Sequence, residues 1–270
     1  MLTPSAYLLP SVPTMLIDEQ RGDVTEMIEA VQAAGAAAFA AAPEALVVVT
    51  ARWVSPGPFH ADDSRQHRSV VDLPEFGVEP RYDCAGHPQL ARSIVEHATR
   101  VGVRATAARH GTDSGVGVPL HFFTRGHRVP VVPLSLSDGT PAEHRAWGGA
   151  IRAALEAWHE RIAFLVGGAI AWNLHANRLR RDVAECDELL DRTLGALRRG
   201  AWAELEPFAV RLAERARPEA GLRHLEVLRG FLRADDENVT GTVLELERSP
   251  GIGTALVEFA LARPHGGAGR

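Results

Sequence analysis

The sequence predicts an α/β protein: a single domain with a mostly parallel central sheet flanked by helices and a C-terminal hairpin. Three observations point there. Ala45-Leu-Val-Val-Val-Thr-Ala-Arg-Trp53 is a continuous β-branched run, the mark of a strand buried on both faces. The segment before it has helical spacing and the segment before that is extended, giving strand, helix, strand. Further helical and extended stretches alternate through Val166.

The first strand spans Ala6–Leu9 and stops at Pro10, ahead of Ser11-Val12-Pro13. A helix follows from Val24 to Ala42, with Met27, Ile28, Val31 and Ala34 on one face and Pro43 as its stop. The buried strand Ala45–Trp53 comes next. Ser55 to Gly86 reads as irregular, with four prolines, and is long enough to suggest a functional or interface loop. A helix over Pro88–Val101 leads to a short strand near Val103–Ala107. A glycine-rich turn, His110-Gly-Thr-Asp-Ser-Gly-Val-Gly-Val118, follows. Val129–Leu136 is a strand whose prolines place it near a sheet edge. A helix spans Ala142–His159, and the strand Arg161–Val166 ends in Gly167-Gly168. Val183 to Leu232 reads as helices broken at Gly200 and Pro218. Thr240–Glu247 alternates, with Thr242, Leu244 and Leu246 on one face. Pro250–Gly253 turns the chain back into a last strand, Thr254–Leu261. Residues 1–262 are expected to form one domain. Residues 263–270 are expected to be a disordered, glycine-rich tail.

Composition narrows the function. The chain has 270 residues, a formal charge of -5 and two cysteines, Cys84 and Cys186, far apart. A basic nucleic-acid surface is not expected, nor a disulfide framework. No apolar run reaches the roughly 18 residues of a spanning helix, and Pro4, Pro10 and Pro13 interrupt the start, so neither a membrane span nor a secretory signal is expected. The expected compartment is the cytoplasm. All 29 basic residues other than histidine are arginine. Lysine-based chemistry, including Schiff bases and Walker-type loops, is therefore excluded.

In an open α/β sheet, ligands bind beyond the carboxyl ends of the strands. Those ends are Pro10–Pro13, Arg52-Trp53, Asp113-Ser114-Gly115 and Gly167–Asn173. They hold no histidine and one carboxylate, Asp113. The glycine-rich turn is flanked by His110 and His121, candidates for a polar site. Most other histidines fall in the long loop or on helices, where surface or packing roles are the plain reading. Ser114 lacks a GxSxG elbow, and Gly115-Val-Gly-Val-Pro lacks the third glycine and helix of a dinucleotide fingerprint. By these residues alone the chain is an α/β domain with a strand-end crevice and no evident catalytic groups.

The same segments resemble a known family, the class III extradiol ring-cleavage dioxygenases, over about residues 5 to 261. The resemblance rests on the strand ending Val-Val-Val-Thr-Ala-Arg-Trp53, Gly111-Thr-Asp-Ser-Gly-Val-Gly-Val-Pro-Leu120, Val129–Leu136 and Val166-Gly-Gly-Ala-Ile-Ala-Trp-Asn-Leu174. It extends to Ala184–Leu190, Ala220-Gly-Leu-Arg-His-Leu-Glu-Val-Leu228 and Gly251–Phe259. It implies an Fe(II) site of two histidines and a carboxylate, open to a catechol-like substrate and O₂, with a further histidine as acid/base. The four histidine positions implied by the resemblance fall at Pro10, Arg52, Ser114 and Trp172. The carboxylate falls at Glu258, or is lost to Ala255 or Leu256. A chain without these histidines is expected to hold no metal and no catalytic residue of this kind.

Tyr7–Pro13, Val49–Trp53, and Pro74–Gly77 with Arg81–Asp83 and Leu90-Ala91 are similar to the non-catalytic α subunit of 2-aminophenol 1,6-dioxygenases. The resemblance therefore implies a non-catalytic subunit partnered by a homologous catalytic chain that carries the Fe(II). The alternative is a stand-alone enzyme or binding protein of the same fold with altered chemistry in the relict pocket, taking an aromatic small molecule. In either case Trp53 and Trp172 are fillers of a closed pocket or stacking platforms. Arg52 and Arg223 either bind a carboxylate or pair with Asp113 or Glu258.

Overall fold

A computed structural model describes residues 1–78 and 81–261; the expected tail, 263–270, lies outside the described residues. Strand β1 (Ser5–Leu9) is followed by helices α1 (Thr14–Arg21) and α2 (Glu26–Ala40) and by β2 (Ala45–Ser55). Then come β3 (Phe59–Asp62), β4 (Gln66–His67), a 3-10 turn at Pro74–Phe76, β5 (Cys84–Ala85), α3 (Pro88–Arg100) and β6 (Ala105–Ala108). The middle of the chain forms α4 (Ser114–Thr124), β7 (Val131–Ser137), α5 (Pro141–Ala157), β8 (Ile162–Gly167), β9 (Ala171–Trp172) and α6 (Leu174–Arg178). The remainder is α7 (Ala184–Arg199), α8 (Leu205–Ala216), α9 (Arg223–Leu232) and the antiparallel hairpin β10 (Thr242–Ser249) and β11 (Ile252–Ala260).

The main sheet runs β10-β11-β1-β8-β2-β7-β3-β6, with β9 pairing β11. Its centre, β1-β8-β2-β7, is parallel; β11 joins β1 antiparallel. The expected α/β architecture is thus present, including the terminal hairpin. Strand alternation makes the layers. In β2, Ala45, Val47, Val49 and Ala51 face one core, while Leu46 and Val48 face the other. In β8, Ile162, Phe164 and Val166 join the first core, while Ala163 and Leu165 join the second. Helices α3, α5, α7, α8 and α9 cover the first; α1, α2 and α4 cover the second. Helices α5 and α9 pack closely because both carry glycine at the crossing. A Cβ on Gly148 would overlap the Val227 carbonyl, and one on Gly230 the Arg145 carbonyl.

Several local expectations are corrected. Thr14–Arg21 is helical, starting directly after Pro13, which supplies a preset φ at the helix entrance. Ser55–Gly86 is not irregular throughout. It contributes β3 to the main sheet, the small β4–β5 pair and the 3-10 turn. Its apolar residues fold onto the chain itself: Phe59 is buried against Trp147 and His144, Phe76 stacks on Trp172, and Tyr82 donates to Thr124 Oγ1 at 3.3 Å. The strand β7 is central rather than near an edge. Pro133 pairs in register with Val48, and β7 meets β3 at a single antiparallel pair, so a missing N–H disrupts little there. In β10 a register shift between Val243 and Glu245 changes the face midway. Val243 and Leu246 pack on the core and Leu244 is exposed.

The glycine-rich segment is also corrected. The helix α4 begins at Ser114, inside the expected turn, with Asp113 as N-cap accepting from the Val116 amide at 3.1 Å. Its glycines serve close approach. A Cβ on Gly115 would overlap Thr50 Oγ1, and one on Gly167 would overlap the Gly115 carbonyl. Pro119 lies inside the helix. Lacking an N–H, it leaves the Gly115 carbonyl without its helical donor, and that carbonyl is the atom lying against Gly167.

Candidate functional site

The carboxyl ends of β1, β2 and β8 come together, as the strand order requires. Pro10 follows β1, where the Leu9 carbonyl accepts from the Gly168 amide at 3.1 Å. Arg52 lies near the end of β2, and Trp172 lies in β9 just beyond β8. The start of α4 brings Asp113 and Ser114 to the same place, because Thr50 Oγ1 donates to Asp113 Oδ1 at 2.8 Å and accepts from the Arg52 amide at 3.1 Å. Pro10, Arg52, Asp113, Ser114 and Trp172, far apart in sequence, therefore occupy one end of the sheet.

Arg52 dominates the local electrostatics. Its Nη1 lies 2.7 Å from Glu219 Oε1, with the two side chains 10% and 3% exposed. Its guanidinium lies over the Trp172 ring, 3.8 Å from the centroid. The Nε and Nη2 atoms are buried without a hydrogen-bond partner. The other Glu219 oxygen accepts from the Ala169 amide. Burial pushes the Glu219 carboxyl upward, and the Arg52 charge opposes that shift. Glu219 sits in the turn between α8 and α9, where Ala220, Gly221 and Leu222 all have positive φ (46°, 63° and 59°). Two non-glycine residues in the left-handed region store strain beside this site.

His224 completes the floor. It is buried on α9, and neither ring nitrogen has a partner. Burial, followed by the Arg52 charge, lowers its pKa from 6.5 to about 3, so the ring is neutral. It packs under Gly168, where a Cβ would come within 3.0 Å of its ring. Ser11 Oγ, at the end of β1, is likewise buried without a partner.

A long segment closes the outer side. Asp72 Oδ2 accepts from Ser114 Oγ at 2.7 Å, and its Oδ1 accepts from the Ser114 amide at 3.1 Å. Burial raises the Asp72 pKa, and the neighbouring Asp113 carboxylate adds to the rise. Both carboxylates face the N-terminus of α4, whose free amides favour negative charge. Phe76 stacks on Trp172, with centroids 6.2 Å apart. A cavity of about 880 Å³ opens elsewhere, beside α3, between Ser64, Gln66, His87 and Arg92.

His110 joins the site through Asp113, with Nε2 to Oδ2 at 2.8 Å. Its ring stacks on Trp53 at 4.3 Å, nearly parallel. Asp62, at the end of β3, holds this turn by accepting from the His110 and Gly111 amides at 2.7 Å each. Burial works to raise the Asp62 pKa, but the His67 ring 3.4 Å away and hydrogen bonds from Ser64 and those two amides hold it well below the usual carboxylate range.

Three other candidate residues lie apart. His121 is exposed on α4 and pairs with Glu19 at 2.7 Å. Arg223 begins α9; burial lowers the pKa of His144, and the Arg223 charge adds to the fall. Glu258 accepts from Ser5 Oγ at 2.7 Å and Tyr7 Oη at 3.0 Å, opposite Tyr7 in the β1–β11 ladder. Ala255 and Leu256 are buried in the core. The carboxylate that does meet Arg52 is Glu219, which the sequence reading passed over. Its signal was the Pro218-Glu219-Ala220-Gly221 turn, just before the family-like stretch that begins at Ala220. Asp72 and His224 were also passed over. Among the described residues, no group of three or more His, Cys, Asp or Glu is arranged to hold a metal ion.

Comparison with known proteins gives a consistent placement. The chain is 26% identical to the 3,4-dihydroxyphenylacetate 2,3-dioxygenase of Escherichia coli over 138 residues, 47% of this chain and 49% of that protein. The match thus spans about half the length of this curated relative. A crystal structure of an uncharacterised protein from Escherichia coli K12 superposes with a TM-score of 0.66, covering 94% of this chain and 98% of that one at 20% identity. That likeness is one of fold. Residues 5–257 match the family described as the catalytic LigB subunit of aromatic ring-opening dioxygenase. The chain with Arg52 against Glu219 at its strand ends therefore belongs to the LigB family of aromatic ring-opening dioxygenases.

Proposed function

We propose that this chain is a non-catalytic LigB-family subunit, which supports a homologous Fe(II)-binding chain in an extradiol-type ring-cleaving complex of the cytoplasm. The observation that carries the reading is the buried Arg52–Glu219 pair, 2.7 Å apart at the strand ends. A facial Fe(II) site needs three neutral or anionic donors and open positions. Here Pro10 offers no side-chain donor, and Arg52 adds a permanent positive charge beside the one carboxylate it faces. Ser114 is bonded to Asp72, and Trp172 is stacked on the guanidinium. These residues do not fit Fe(II).

The test is co-expression with a histidine-complete homologue from the same genome. The expected result is a stable hetero-oligomer whose iron and ring-cleavage activity reside in the partner, while this chain alone leaves catechols intact. Stoichiometric iron with ring cleavage in the isolated chain would overturn the proposal.

A second reading, a stand-alone protein with altered chemistry, is favoured by the His110–Asp113 pair at 2.8 Å. A buried carboxylate behind a partly exposed imidazole is an arrangement suited to proton transfer. The folding of the long segment onto its own body also leaves less apolar surface for a partner. A monomer that ignores every homologue of its genome decides for this reading.

A further inference from the structure

We infer that the Arg52 guanidinium is a built-in cation: removing its side chain opens, between Glu219 and Trp172, a cation-binding site that the wild-type chain lacks. The inference deepens the proposal that this chain has given up iron. Glu219 is 3% exposed and holds one hydrogen bond from the Ala169 amide, so its remaining charge needs a cation beside it. Arg52 supplies that charge from one edge only. The Nε–Nη2 edge is buried without a partner, so the group is placed by charge and by the flat face it lays on Trp172, 3.8 Å away. Nearby Asp72 and Asp113 add to the demand for positive charge. His224, also buried without a partner, is a neutral neighbour that does not compete for the carboxylate.

The ligand class follows from the space left by Arg52→Ala. It is a flat organic cation such as methylguanidinium; a bare divalent metal such as Mn(II) is not expected, since among the described residues no group of three or more His, Cys, Asp or Glu is arranged to hold one. Thermal unfolding of the full chain distinguishes them. Methylguanidinium should raise the Tm of Arg52→Ala saturably, by about 5 °C at a hundredfold excess over its Kd. A comparable response to Mn(II) in place of methylguanidinium would overturn the inference. Wild type and Arg52→Ala/Glu219→Gln should respond to neither. If Arg52→Ala does not fold unaided, its refolding yield with and without methylguanidinium is the readout. Arg52→Met, which fills the space without charge, should stay indifferent. An Arg52→Ala chain unmoved by methylguanidinium, beside a metal-free wild type, overturns the inference alone. A response that survives Glu219→Gln overturns it too. Stoichiometric metal on the wild type removes the reading on which it rests.

Discussion

Buried polar residues at the strand ends carry the most individual character in this protein. His224 has no hydrogen-bond partner and a pKa lowered from 6.5 to about 3 by burial. A group with a depressed histidine pKa binds fewer protons when folded. Its contribution is fully present above pH 6.5 and is lost as pH falls toward about 3, where the folded ring protonates. Across that window the loss is on the order of 5 kcal/mol. His224→Leu should therefore flatten the acid side of the stability curve, measured as urea unfolding free energy against pH. An unchanged slope would show that other groups set it. Glu219 and Asp72, whose pKa values are raised by burial, act with the opposite sign: the stability they contribute at low pH is lost as pH rises through their folded values. Comparing His224→Leu with wild type cancels them.

Secondary-structure elements are fixed mainly by local chemistry at their ends. The helix α5 carries a complete capping box: Thr140 Oγ1 accepts from the Glu143 amide at 3.2 Å, and Glu143 accepts from the Thr140 amide at 2.7 Å. Both residues are visible in the sequence, seven and four positions before the buried Trp147. Thr140→Ala should cost about 1 kcal/mol of stability with no change in fold. Chemical denaturation checks the size, and amide exchange of the first turn checks the place. The same locality explains where reading the sequence failed. Glycine density over residues 111–117 suggests a turn, yet Gly115 and Gly167 are small because the start of α4 lies directly on the strand ends. Composition does not distinguish a glycine needed for a turn from one needed for close approach.

At the scale of the whole molecule, one sheet separates two cores. Phe164 of β8 stacks on Phe231 of α9 with centroids 3.7 Å apart, joining the centre of the sheet to its helical cover. Phe164→Ala should destabilise by about 3–5 kcal/mol. Because β8 also faces the second core through Ala163 and Leu165, both cores should unfold together. Coincident tryptophan-fluorescence and far-UV dichroism transitions in urea would bear this out; separate transitions would show the layers to be independent. Among the described residues no helix is long and apolar enough to cross a membrane.

The sequence by itself determined the α/β class, the order of most strands and helices, and the strand-end residues that gather into one site. These follow from periodicity, breakers and the rule that parallel strands release their ends on one side of a sheet. Arg52, Asp113 and Trp172 were legible for that reason; His110 and His224, which the fold brings beside them, lie outside the strand-end segments. Only the tertiary structure decided which carboxylate faces Arg52. Glu219 and Glu258 are equally acidic in sequence, but β11 runs antiparallel to β1, which carries Glu258 back to Ser5 and Tyr7. The left-handed turn before α9 brings Glu219 forward to the guanidinium. Likewise, only the fold shows that Phe76 and Tyr82 cover their own chain. A contact between residues far apart in sequence depends on where the sheet order places each element, and local patterns hold no record of it.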